Sequence, residues 1–382
     1  MRSTQGKIVY KWLTKSGLIS LGLGVLCLAS SANAQVNGGQ YAFEYLLLSN
    51  SAHVTAVGGI SVANPDPDIA FALQNPAMMQ PGLHNELELT YNNYYAGISI
   101  MNLQYGYHVP KINTSFYFGV QYLNYGSFTE TDDIGNTLGT FHGDDYSLTV
   151  GASRSYLEHW RYGADIKFAS SDLAQYTANA AMVDVGINYY DTASLWDFGA
   201  VAKNMGVMMK SYNPGNPREP IPFDMQLGIS KKFKHLPLRL IATMQHVYEW
   251  NIRYDNPADL IGTNSLGTTD TASDKGSHFG DILFRHFILA AELTLGKRIT
   301  LTASYNDLRR EELAVSTATG PSGMAFGLGV NLNKFKIHYG LSYYNIAGPY
   351  NEFSLTMQLN KLFGLGKTGE NIKWNAEYPD WQ

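Results

Sequence analysis

What most constrains this chain is an alternation of period two, repeated along most of its length. From Met324 the positions Met324, Phe326, Leu328, Val330 and Leu332 are apolar, while Gly323, Ala325, Gly327, Gly329, Asn331 and Asn333 are small or polar. Side chains on a strand point alternately to its two faces, so such a segment is a strand with one greasy face. The same pattern runs through Phe353 to Leu359, Ile299 to Tyr305 and Phe223 to Ile229, with small or polar residues between the apolar ones.

Read this way, the chain contains fourteen strands, at 86–93, 97–108, 112–125, 143–154, 159–170, 177–190, 196–206, 222–233, 236–249, 285–296, 298–308, 323–333, 335–345 and 352–363. Most exceed the roughly 5–6 residues usual in soluble sheets and reach the roughly 9–11 a tilted strand needs to cross a bilayer. After even-numbered strands the connections are short: Pro110-Lys111, Leu157-Glu158, Thr192 to Leu195, Lys234-His235, Lys297 and Lys334. After odd-numbered strands several are long: Gly126 to His142, Val207 to Ile221, Trp250 to Phe284 and Arg309 to Ser322. Short turns on one rim and long loops on the other are the habit of outer-membrane barrels. The expected fold class is therefore all-β, a transmembrane antiparallel β-barrel of fourteen strands. Two substitutions follow from the face assignment: Leu328→Arg should be costly and Gly327→Ser cheap.

The N-terminus agrees with that compartment. Arg2, Lys7, Lys11 and Lys15 precede an uncharged apolar run, Leu18 to Ala29, and the small-x-small triplet Ala32-Asn33-Ala34. This is a secretory signal peptide, with cleavage expected after Ala34. The apolar run is shorter than the roughly 20 residues of a spanning helix. The only cysteine, Cys27, lies inside this segment, so the mature chain has no disulfide and no cysteine-based metal site. Cleavage leaves 23 basic residues against 32 acidic ones, a net charge of −9 that makes nucleic acid a poor partner. Charged residues are only 15% of the chain, against about 25% in soluble domains. The shortfall is filled by 26 Tyr, 17 Phe and 37 Gly, as a lipid-facing surface requires.

Residues 35–85 do not alternate. Asp66 is a candidate N-cap with Pro67 at the first helical position, and Pro76 should stop the helix near Gln74. An apolar segment between a signal peptide and a barrel has one obvious place to bury itself, the lumen, so it reads as a hatch. The chain then divides into a signal peptide (1–34), a hatch (35–85), a barrel (86–363) and a C-terminal tail (364–382). Both termini are expected in the periplasm.

Gly38-Gly39-Gln40-Tyr41-Ala42-Phe43-Glu44-Tyr45-Leu46, the small-rich Ala56-Val57-Gly58-Gly59 and the tripeptide Asn75-Pro76-Ala77 resemble the opening of the FadL-like outer-membrane family. Within it they are most similar to the PorQ-like barrels of the type IX secretion system of Bacteroidetes, over Gly38 to Phe363. The resemblance implies that Gly58, Gly59, Asn75, Pro76 and Ala77 shape the hatch. It also implies a role in protein secretion: holding a PorZ-like surface protein of the complex that attaches cargo to lipopolysaccharide in the outer membrane.

No catalytic motif stands against this reading. Lys367-Thr368-Gly369 matches one box of penicillin-binding enzymes, but the chain has no Ser-x-x-Lys. Gly364 to Thr368 ends like a phosphate-binding loop but lacks its leading glycine, and no histidine pair has metal-ligand spacing. The chain is read as no enzyme, with no cofactor and no metal. Asp165, Lys167, Asp184, Lys203, Asp224, Arg239 and Glu292 fall on polar strand faces and are candidate lumen charges. The Thr-, Ser-, Asp- and Gly-rich stretch that contains Thr263, Asn264, Asp270, Asp274 and Lys275 is the candidate partner loop. Two functions stay open: a scaffold for a surface partner, and a FadL-like transporter of hydrophobic small molecules. A transporter needs a continuous apolar path, whereas a scaffold tolerates a sealed, charge-bridged lumen.

Overall fold

The computed structural model describes residues 41–213, 218–252, 279–296, 298–312, 321–345 and 348–363. Among them fourteen antiparallel strands close into one barrel. They are β1 (Glu86–Asn93), β2 (Ser99–Val109), β3 (Thr114–Thr131), β4 (Thr137–Tyr156) and β5 (Trp160–Leu173). Next come β6 (Tyr176–Asp191), β7 (Trp196–Lys210), β8 (Asp224–Lys232), β9 (Leu238–Met244) and β10 (Phe287–Leu295). β11 (Ile299–Asn306), β12 (Met324–Asn331), β13 (Phe335–Asn345) and β14 (Gly348–Gln358) complete the wall. Each strand pairs with its sequence neighbours, and β1 closes the ring against β14 from Glu86↔Gln358 to Asn93↔Asn351.

Strand ends differ from the sequence expectation where a side chain or a twist changes the local geometry. The stretch read as a loop from Gly126 to His142 is mostly strand. β3 and β4 continue past the barrel as a ribbon held by a stacked Phe128–Phe141 pair, and Asp132 caps its tip by accepting from the Ile134 and Asn136 amides. β9 stops at Met244, five residues short, because His246 takes a left-handed φ of 52° while its amide is held by Asp224. Arg285 closes a helix, Phe279–Arg285, before β10 begins. β14 starts four residues earlier than expected and ends at Gln358, where Leu359–Phe363 turns into a helix.

Outward positions carry the apolar residues: Met324, Phe326 and Leu328 of β12 are each more than 40% exposed. Near the strand ends Trp160, Trp196 and Trp250 are similarly exposed, where interfacial aromatics belong. Leu328→Arg is expected to destabilise the barrel by about 2–4 kcal/mol if that residue sits at midplane depth. Urea unfolding in lipid vesicles measures this, and a cost below about 1 kcal/mol would place Leu328 at an interface instead.

The interior is filled by residues 41–85. Ala42 donates its amide to Pro220 in the β7–β8 loop, and Phe43 and Tyr45 pack on Ile100, Leu123 and Met182 at the loop rim. The segment then descends through the helix Ala52–Ala56 and three single-turn helices, Ile69–Phe71, Pro76–Met78 and Pro81–Leu83, to β1 at the rim of short turns. Residues 41–85 thus cross the lumen from one rim to the other. The first described residues, Tyr41 and Ala42, stand at the loop rim, whereas β14 ends at the turn rim.

Gly327→Ser is not the cheap change the alternation suggested. A Cβ on Gly327 would run into the Ala56 side chain of the hatch helix, so this glycine is a contact point and not free lumen surface. The helix itself is capped by Ser51, which accepts from His53. It ends at Gly58 and Gly59, whose φ of 103° and 89° suit glycine.

Candidate functional site

The hatch and the wall meet through charges. Arg239 on β9 and Glu292 on β10 are register partners, both pointing inward and almost fully buried. The Arg239 guanidinium forks onto Asp66 of the hatch at 2.6 and 2.7 Å and also donates to Glu292 at 3.0 Å. The second Glu292 oxygen lies 2.7 Å from His53 Nε2, and His53 Nδ1 lies 2.6 Å from Asp68. Both ring nitrogens of His53 therefore face carboxylates, which only an imidazolium satisfies. Burial opposes that charge, but the hydrogen bonds that His53 donates to Asp68 and Glu292 outweigh it and lift its pKa from 6.5 to about 10. Burial likewise works against an ionised Asp68, yet its bond to His53 holds that carboxyl well below the usual range. Lys336 on β13 adds a bond to the Pro67 carbonyl at 2.6 Å and a longer contact to Glu86 at 3.4 Å.

The sign of these shifts sets a pH window. The hold contributed by His53 is fully present below about pH 6.5 and is lost as pH rises through about 10. The Asp68 contribution is present above 3.8 and lost on acidification. Protease cleavage of the hatch is therefore expected to increase between pH 6.5 and 10, and to lose that dependence in His53→Gln. A flat profile in the wild-type protein would remove His53 from the lock.

Hydroxyls complete the seam. Ser354 accepts from the Ala52 amide at 2.9 Å and lies 3.2 Å from the Ser51 hydroxyl, while Thr55 donates to Glu352. On the far side Asn75 caps the turn Pro76–Met78 by accepting from Ala77 at 3.0 Å. Its amide donates to Val62 inside the hatch and to the Ile187 carbonyl of β6. Asn75 is thus the cap that starts the turn at Pro76 and ties it to the wall. Asp66, expected as an N-cap, instead meets Arg239, and Asp68 caps Ile69–Phe71 through the Ala70 amide. The wall leaves room for this turn at Gly163, where a Cβ would stand 2.5 Å from the Pro76 carbonyl carbon.

The other expected lumen charges, Asp165, Lys167, Asp184, Lys203 and Asp224, all point inward on β5 to β8 and are buried. Lys167 bonds Asp184 at 2.9 Å and Asn204 at 2.7 Å, and Tyr117 donates to Asp165. Lys203 is the register partner of Asp224. Here the wall is irregular: Asn204 has a φ of 56°, the β6–β7 register shifts between Val183 and Val185, and Asp184 accepts the displaced Asn204 amide at 2.6 Å. These charges satisfy a bulge in the wall and the hatch-facing surface rather than lining an open conduit.

Sequence reading missed His53, Asp68, Glu86, Lys336, His338 and Glu352. The wall residues among them stand on inward faces of the alternation and were legible there; His53 and Asp68 lie in the segment without period. His53, Asp68 and His338 bring ligand atoms within 4.8 Å of one another. That group does not suit a cation, because His53 presents N–H groups to carboxylates on both sides. The candidate partner loop, with Thr263, Asn264, Asp270, Asp274 and Lys275, lies outside the described residues.

At the loop rim a cleft of about 410 Å³ opens between the start of the hatch and the wall. Tyr41, Phe43, Tyr45, Tyr125, Tyr176 and Tyr212 line it, together with Asp145 and Ser171.

A closed fourteen-strand barrel with an apolar outer face and a polar, plugged interior defines an outer-membrane β-barrel protein. No family model matches the chain, and no curated protein does. Among solved structures it is similar to a mutant of the TodX monoaromatic hydrocarbon channel, at 13% identity and a TM-score of 0.45, over 81% of this chain and 98% of that one. It is also similar to the CymD monoaromatic hydrocarbon channel (12%, 0.45, over 83% and 97%) and to a FadL homologue of Pseudomonas aeruginosa (12%, 0.40, over 79% and 97%). At that level of superposition these likenesses add nothing to what the closed sheet itself establishes.

Proposed function

We propose that this barrel is a closed scaffold of the outer membrane that holds a surface partner on its loop rim. The observation that supports it is the lumen, which residues 41–85 fill from rim to rim and which the Asp66–Arg239–Glu292–His53–Asp68 chain locks. Among the described residues such an interior offers no continuous apolar path. The likeness of Gly38 to Leu46 and of Asn75-Pro76-Ala77 to PorQ-like barrels gives the scaffold its setting: the type IX secretion system, a PorZ-like partner and cargo bound for lipopolysaccharide. In this arrangement the turn rim faces the periplasm and the loop rim faces outward. The comparisons speak to neither the partner nor that setting.

The second reading is a channel for hydrophobic small molecules, and the aromatic cleft at the loop rim favours it. It is also what the hydrocarbon channels named above are described as doing. This reading requires the hatch to move. One strain lacking residues Thr263 to Lys275 separates the two. The scaffold predicts a membrane-inserted barrel that no longer retains a surface protein in pull-downs from detergent-solubilised outer membrane. Intact retention beside impaired uptake of an aromatic hydrocarbon would establish the channel instead.

A further inference from the structure

We infer that the loop-rim cleft is a binding site for an organic cation, an ammonium or guanidinium group. The inference holds under either reading of the barrel's function.

The floor of the cleft carries the argument. Asp145, on the inward face of β4, is only 5% exposed. One of its oxygens accepts from the Tyr125 hydroxyl, while the other, Oδ1, is buried and receives no hydrogen bond among the described residues. Ser171, its register partner on β5, stands beside it, and the Ser171 hydroxyl likewise has no partner in hydrogen-bond geometry among the described residues. The described residues place no Lys, Arg or His in the lining of the cleft. A buried carboxylate oxygen with neither donor nor counter-charge costs free energy that a bound cation would recover.

The walls are aromatic. Tyr45 is anchored by its hydroxyl on the Tyr146 carbonyl, and Phe43 meets it edge to face with centroids 6.3 Å apart. Tyr125, Tyr176 and Tyr212 complete the enclosure. Ring faces attract ammonium and guanidinium groups through their quadrupoles, and more strongly when those groups are desolvated. A purely apolar ligand would leave Asp145 unanswered, and an anion would be repelled by it. The cleft volume lies in the range of sites for small ligands, roughly 300–1,000 Å³. It also fits a single basic side chain presented by a protein.

The test uses the full-length barrel in detergent, with choline and N-acetyl-arginine amide as probes and 3,3-dimethylbutan-1-ol as the uncharged counterpart of choline, each titrated calorimetrically. Binding of either cation, absent for the alcohol and weakened about tenfold or more in Asp145→Asn, supports the site. Choline alone points to a free small molecule as the source, and the arginine amide alone to a side chain of a partner. Tyr212→Leu supplies a second variant, expected to weaken binding about threefold through the lost ring. Heat-modified gel mobility shows that each variant remains a folded barrel. No binding of either cation at millimolar concentration, equal binding of the alcohol, or unchanged affinity in both folded variants would overturn the inference.

Discussion

Arg239→Ala is expected to cost about 3–5 kcal/mol of the hatch's attachment, because it strands Glu292 as a buried carboxylate and frees Asp66 from its bidentate partner. The loss should appear as cleavage of the hatch by added protease while the barrel keeps its heat-resistant mobility. Glu292 would retain only His53, and Asp66 would turn to solvent, which already reaches about half of it. Arg239→Lys keeps the charge without the fork, so its cost should fall between wild type and Ala. If Arg239→Ala left protease resistance unchanged, the Arg239 fork would contribute nothing measurable to the hold on the hatch.

Gly163→Val is expected to unseat the hatch more completely. The Pro76 carbonyl carbon lies 2.5 Å from where the first added carbon would go, and the neighbouring Ala77 amide lies 2.7 Å away. Both obstacles are backbone, which cannot rotate aside as a side chain does. The strand can still pair, since Gly163 meets Gly186 and Ser153 across its two ladders through the main chain. The variant should therefore insert as a barrel with its plug displaced, and should pass ions in planar bilayers where the wild-type protein does not. Closed bilayers in both would mean that the hatch relaxes around the valine.

The wall was legible in the sequence because membrane strands leave an explicit mark: apolar residues face lipid at every second position, and a slip of one residue would reverse the faces. Leu328 and Phe326 carry that information by themselves. The inward face was only half legible. Glycines such as Gly163 and Gly327 look like neutral filler in a linear pattern, yet their meaning depends on which part of the hatch lies against them. The lock was legible only on its wall side, where Arg239 and Glu292 stand on inward faces, and not in its hatch partners. His53 and Glu292 are separated by 239 positions, and the hatch has no period from which a facing direction could be read. Asp66 and Asp68 show the same limit on a smaller scale. Both precede the first turn of the Ile69 segment, and only the location of Arg239 decides which caps and which pairs. The strand ends at Met244 and Gln358 were blurred because apolar residues continue beyond them after the backbone has left the sheet.

The ring closes between its first and last strands, and the hatch is bonded to that last strand through Ser354 and Glu352. During synthesis, some 300 residues separate Ala52 from the partner that its amide will meet. The hatch runs directly into β1, so the strand that closes the ring against β14 also carries the hatch to its partners. Ser354 and Glu352 therefore belong at once to the seam that closes the wall, opposite Thr90 and Asn92, and to the seat of the hatch.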